Sequence, residues 1–139
     1  MCANLRRASR VLTQLYDDAL RPLGLRATQF TILQALSLAG EVTQGVLGEI
    51  LAMDSTTLTR TLDILEGHRW IVKRHGEDRR EWRIWLSKRG ETQLQRALPA
   101  WRSAQDRLHA QLGNEVWENL FTVTNNVTAM VARLQEKSS

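Results

Sequence analysis

Apolar residues recur at three- and four-residue spacing over most of this chain. Leu5, Ala8, Leu12, Leu15, Ala19 and Leu23 form a first stripe that predicts an amphipathic helix, stopped by Pro22 and Gly24. A second helix is expected from an N-cap at Thr28 through Phe30, Ile32, Leu33 and Leu36 to Ala39-Gly40. A short third helix opens at Thr43-Gln44 and carries Val46, Leu47, Ile50 and Leu51. After a turn at Ala52-Met53-Asp54, a fourth begins with Ser55-Thr56-Thr57 and carries Leu58, Leu62 and Leu65 to Gly67. The period then changes. Residues Trp70 to His75 and Trp82 to Leu86 are rich in β-branched and aromatic side chains and read as two strands joined by a polar turn that opens on Gly76. From Ser87 the helical period returns through Leu94, Leu98, Trp101, Ala104, Leu108 and Leu112, with a kink expected at Pro99 and a break at Gly113. Asn114 is a reasonable N-cap for a sixth helix, striped by Val116, Leu120, Val123, Val127, Met130 and Leu134.

A short helix, a tight turn and a helix opening on hydroxyls make a helix-turn-helix, and the hairpin that follows makes it a winged helix. The fold expected is mainly α with a small β-hairpin wing. Residues 27–90 are the reading part of a single domain spanning 1–139, flanked by helices over 1–24 and 91–139. A winged helix cannot bury the stripes of those flanking helices, and a second copy of the chain is the simplest cover.

Charge sharpens this picture. The formal charge of the 139 residues is +4, while Arg69 to Arg89 carries eight Lys/Arg against three Asp/Glu, so the basicity is a patch on the hairpin. A narrow basic hairpin is poor material for a catalytic pocket and suits a phosphate backbone or a groove of double-stranded DNA. Thr43, Gln44, Ser55, Thr56, Thr57, Thr59 and Arg60 on the helices, and Lys73, Arg74, Asp78, Arg79 and Arg80 on the hairpin, are the candidate DNA-binding residues. The rival reading is a winged helix that docks an acidic protein surface.

Catalytic chemistry finds no constellation here, and no cofactor motif occurs. His68, His75 and His109 lack ligand spacing, so no metal site is expected. The single cysteine, Cys2, allows no intramolecular disulfide; the expected compartment is the cytoplasm, with no membrane span and no signal peptide.

Asp78-Arg79-Arg80 followed by Leu86-Ser87-Lys88-Arg89-Gly90 fits a D-x-R-x5-L-[S/T]-x-x-G signature, placed after Ser55-Thr56-Thr57-Leu58-Thr59-Arg60 and Leu65-Glu66-Gly67. Taken together these resemble the MarR (multiple antibiotic resistance regulator) family over essentially the whole chain. The resemblance implies a homodimeric winged helix regulator, usually a repressor, on a palindromic operator, often released by a small aromatic or phenolic acid. It makes the helix from Ser55 the recognition helix, Arg80 the wing-tip arginine of the minor groove and Asp78 the carboxylate that orients it. Leu86 would anchor the wing, Ser87 would cap the fifth helix and Gly90 would let it pack closely. Arg69-Trp70 departs from the family, which usually has a glycine and a small aliphatic there.

Some relatives sense peroxide through an N-terminal cysteine, so Cys2 is a redox candidate. Against this, it lies at the extreme terminus, outside the first helix, with no second cysteine to resolve a sulfenic acid. Trp82 and Trp85 are expected on opposite faces of the second strand, one packed and one partly exposed. Trp101 and Trp117 read as core or dimer contacts. An effector pocket would be lined by Arg10, Tyr16, Phe30 and Trp101, a cation with aromatics that suits an aromatic carboxylate.

Overall fold

The structure, a computed structural model, describes residues 1–136. Its elements are helix α1 (Cys2–Leu20), a 3-10 turn (Arg21–Leu23), α2 (Ala27–Ala39), strand β1 (Val42–Thr43), α3 (Gln44–Leu51), α4 (Ser55–Gly67), β2 (Ile71–His75), β3 (Trp82–Leu86) and α5 (Lys88–Glu136). The three strands form an antiparallel sheet in the order β1-β3-β2. β1 pairs Val42 with Ile84 and Thr43 with Arg83, tying the start of α3 to the wing.

Two compact units result, one from Met1 to Trp101 and one from Arg102 onward. The first holds the core. Leu20, Phe30, Ile32, Leu33, Leu36, Leu47, Leu58, Leu62, Leu65 and Ile84 are almost fully buried there, joined by Leu94 and Ala97 from the first turns of α5. α5 therefore contributes to the winged-helix core well past residue 90.

α2 starts earlier than its pattern suggests. Arg26, with extended backbone, is the N-cap, its N–H donates to Gln29 Oε1 at 3.0 Å, and the next N–H, of Ala27, donates to Asp17 Oδ1 of α1 at 2.7 Å. Thr28 lies inside the first turn and is not the cap. An acidic side chain from a neighbouring helix does what a local hydroxyl was expected to do.

Pro99 sits within α5 without taking the backbone out of the helical region; the departure lies at Gly113, with φ 77° and ψ 164°. Pro99 and Gln95 are both exposed, so the carbonyl that loses its N–H partner can turn to water. Asn114 Oδ1 meets His109 Nε2 at 2.9 Å across the break, and His109 stacks on Trp117 at 4.8 Å. Beyond it, Val116, Phe121, Val123, Val127, Met130 and Leu134 are exposed, as are Leu5 and Val11 on α1. The far end of the expected sixth helix, residues 137–139, lies outside the described residues.

Candidate nucleic-acid interface

The first turn of α4 is fixed by Asp54. Its carboxylate accepts from the Thr57 hydroxyl at 2.6 Å and from the Thr57 N–H at 2.9 Å, and these bonds hold the Asp54 carboxyl below the ordinary carboxylate pKa. Leu58, Leu62 and Leu65 anchor the inner face in the core, which leaves Ser55, Thr56, Thr59, Arg60 and Asp63 outward around an open depression of about 450 Å³. Four of the expected contact residues share this surface. Thr57 does not join them in the same way, because its proton is committed to the Asp54 cap.

A second depression, of about 490 Å³, lies between α4 and the wing. Thr43, Gln44 and Gly45 form its α3 wall, Thr59 its α4 wall, and Lys73, Asp78, Arg80, Glu81 and Trp82 its wing wall. Thr59 lines both depressions, so they adjoin. Thr43 Oγ1 caps α3 by accepting from the Val46 N–H at 3.2 Å, and Gln44 Nε2 donates to Thr59 Oγ1 at 2.8 Å, joining the two helices.

The wing's register places Ile71 opposite Leu86, Lys73 opposite Ile84 and His75 opposite Trp82. Between the strands the Gly76 N–H donates to Glu81 O and the Glu81 N–H to Asp78 O, each at 2.9 Å. Asp78 Oδ1 accepts from the main-chain N–H of Arg80 at 2.9 Å. The carboxylate thus sets the backbone that presents Arg80, where direct orientation of its guanidinium was expected.

Lys73 and Arg74 also differ from expectation. Lys73 points inward, 3.5 Å from Asp63 and 4.7 Å from the Trp82 ring centroid, with its side chain only 10% exposed. It braces the wing against α4 and is not free to reach outward. Arg74 stands on the other face of β2, with its guanidinium carbon 5.7 Å from the Trp85 ring centroid, away from the depression. Strand alternation forces this split. Arg79 and Arg80 are exposed at the tip. Trp82 and Trp85 are both half-buried on their opposite faces, Trp82 also stacking on His75 at 3.7 Å. Arg83 is held by Glu41 at 3.1 Å and Glu81 at 3.6 Å.

Gly45, Asp63, Glu81 and Trp82 also line this surface and were not among the contact residues expected from sequence. Asp63 had a signal: four residues after Thr59, it falls on the same helical face.

Ser87 joins wing to α5. Its hydroxyl donates to Arg69 O at 2.6 Å and accepts from the Gly90 N–H at 3.0 Å, while its own N–H donates to Trp70 O at 3.0 Å. Arg69 occupies the left-handed region at φ 60°, where glycine is the less strained residue.

Of the expected effector lining, Tyr16, Phe30 and Trp101 are brought together and Arg10 is not. Phe30 stacks on Trp101 at 5.4 Å and Trp101 on Tyr16 at 6.3 Å, but Phe30 is 1% exposed and closes the stack from inside. Burial raises the Tyr16 pKa. Arg10 instead lines a separate depression of α1 with Ala3, Arg6, Arg7, Val11 and Gln14. Six residues of helix turn Arg10 and Tyr16 to different faces. Cys2 is exposed and is the first residue of α1, not outside it. Among the described residues no cluster of His, Cys, Asp and Glu could hold a metal, and no helix is long and apolar enough to cross a membrane.

Comparison with known proteins places residues 23–81 within the profile of the MarR family. The multiple antibiotic resistance protein MarR of Salmonella typhimurium is 30% identical over 116 residues, covering 84% of this chain and 72% of that protein. The uncharacterized HTH-type transcriptional regulator YwoH of Bacillus subtilis is 32% identical over 87 residues, 63% of this chain; the match spans 64% of YwoH, just under two thirds of its length. In three dimensions the Mycobacterium tuberculosis transcriptional regulator MosR, solved in complex with DNA, is 36% identical with a TM-score of 0.81, the match covering 94% of this chain and 97% of that one.

Proposed function

Since this chain belongs to the MarR family, we propose that it is a sequence-specific DNA-binding transcriptional regulator, a homodimer acting on a palindromic operator in the cytoplasm. The observation that carries this reading is the convergence of Gln44, Thr59, Arg60 and Arg80 from three elements on one outward surface. Hydroxyls and an amide suit base edges, and arginines suit phosphates and a narrow minor groove. A surface built to dock an acidic protein would not need an amide and hydroxyls between its cations. The apolar residues left exposed on α1 and beyond Gly113 favour a second copy as the cover. In such a dimer the two α4 helices enter successive major grooves about 34 Å apart, flanked by the wings.

We further propose repression relieved by a small aromatic or phenolic acid that changes this separation. Its natural place is near the exposed edge of Tyr16, since the inner side of that stack is filled.

Fluorescence anisotropy with a labelled random duplex over a salt series tests the DNA reading. With Arg74 turned away and Lys73 committed to Asp63, about six neutralised phosphates per dimer give a slope of about −5 in log affinity against log salt. A slope near zero removes it.

A further inference from the structure

Thr59 is held unlike five other threonines on the helices. Thr31, Thr61, Thr92, Thr124 and Thr128 each donate their hydroxyl to the carbonyl four residues earlier, over 2.7 to 3.1 Å. Thr59 accepts from Gln44 Nε2 at 2.8 Å, and its proton has no acceptor among the described residues. It lies on the exposed face of α4, at the junction of the two depressions.

A threonine hydroxyl has one donor and two acceptor positions, and a glutamine amide has two donors and an oxygen. Once one amide N–H is spent on Thr59 Oγ1, the pair offers the groove a hydroxyl donor beside a carbonyl acceptor. Turning the amide over exchanges the roles and still leaves a donor next to an acceptor. The helix that carries Gln44 is itself pinned at this point by the Thr43 cap and by β1, so the amide is presented from a fixed backbone.

Adenine is the base whose own major-groove edge carries a donor, N6–H2, beside an acceptor, N7. Guanine shows two acceptors, cytosine a donor, thymine an acceptor and a methyl group. We infer that Gln44 and Thr59 together read one adenine in each half-site, the Thr59 hydroxyl donating to N7 and the Gln44 carbonyl accepting from N6–H2. Two side chains from two helices thereby do what a single Asn or Gln amide does elsewhere. The inference rests on the DNA-binding reading above and adds to it a base identity and a role for α3 beyond support.

The test is selection of duplexes from a randomised pool by the full-length chain, then affinity measurements on the selected duplex and its single-base variants. Wild type should select an adenine at one symmetric position that disfavours the other bases on the order of ten- to a hundredfold. Thr59→Val, close in shape but without the hydroxyl, and Gln44→Ala should both lose that preference while keeping the others. The double variant should lose no more than either alone, because the contact is one unit. Thr59→Ser should retain it. Survival of the preference in Thr59→Val or Gln44→Ala, or loss of a guanine preference in place of an adenine one, overturns the inference while leaving DNA binding intact. Failure of wild type to bind or enrich any duplex overturns the DNA reading and this inference with it.

Discussion

Replacing Gly90 by alanine tests whether the wing and α5 are packed as tightly as the structure shows. A methyl group built on Gly90 comes 2.8 Å from the carbonyl carbon of Trp70, closer still to its oxygen, and 3.1 Å from Leu86 Cδ2. The obstacle is main chain, so no rotamer change relieves it. α5 and the start of β2 must separate by more than an ångström, and the Ser87 bonds to Arg69 O and Trp70 O span that same gap. Overpacking costs about 1–3 kcal/mol and a weakened hydrogen bond about 1 kcal/mol, while alanine's better helix propensity returns about 1 kcal/mol. The net destabilisation is about 1–3 kcal/mol, or a melting midpoint lower by roughly 3–10 °C. Gly67→Ala is the control. It lies at the end of α4 with nothing within 4 Å of an added methyl, so it should gain about 0.5–1 kcal/mol. Thermal and urea unfolding followed by circular dichroism at one protomer concentration compares the three proteins. A Gly90→Ala midpoint equal to or above wild type would refute the close approach of α5 to Trp70.

Four further expectations follow from the local geometry. Asp54→Ala should destabilise the protein at neutral pH; because the folded-state pKa of Asp54 lies below its unfolded value, that contribution is present above the ordinary carboxylate range and lost as pH falls through the lowered folded value, so variant and wild type should converge in acid unfolding curves. Ala52 sits at φ 50° in the turn between α3 and α4, so Ala52→Gly should raise stability by up to about 1 kcal/mol, read from the urea midpoint; a drop would mean that the left-handed turn is not strained. Leu120 and Val127 changed together to glutamate should convert a dimer to monomer or aggregate in sedimentation, and a well-folded dimer would exclude that face from the interface. Asp78→Asn, which keeps an oxygen for the Arg80 N–H, should bind the selected duplex close to wild type, whereas Asp78→Ala should weaken it in the direction of Arg80→Ala, by on the order of 1 kcal/mol; tighter binding by Asp78→Ala would make the carboxylate only a repulsive charge.

The order of helices and strands was legible because each long element repeats its period several times over. What escaped was decided by one or two residues or by distant partners. β1 is two residues long, too short to show an alternation, and exists because Ile84 and Arg83 offer it an edge. The cap of α2 comes from Asp17, ten residues before Ala27, which local spacing cannot reveal. The candidate surface was half legible. Ser55, Thr56, Thr59 and Arg60 were readable from their position on one helical turn, and Arg80 from its signature. Lys73 and Arg74 were grouped by charge, although strand alternation separates them and Asp63 holds the first inward. Arg10 was grouped with Tyr16 by residue type in the same way, although the two occupy different faces of α1.

Arg69-Trp70, the pair that departs from the family pattern, is where these elements are mechanically joined. Arg69 N–H donates to Glu66 O at 2.8 Å and Trp70 N–H to Leu65 O at 3.0 Å, closing the end of α4. The carbonyls of the same two residues receive both bonds from Ser87 at the start of α5. One peptide segment therefore ends α4, begins the wing and caps α5. With Gly90 pressed against Trp70, no slack remains between the three. Close-packed main chain of this kind shifts as a body and does not deform gradually. Lys73 adds a second tie, from β2 to Asp63 on α4. A displacement of the first turns of α5 must carry Arg80 and the exposed face of α4 together. Under the regulation proposed above, an effector that moved α5 would therefore not need to touch the candidate surface, because α4 and the wing tip would be displaced together.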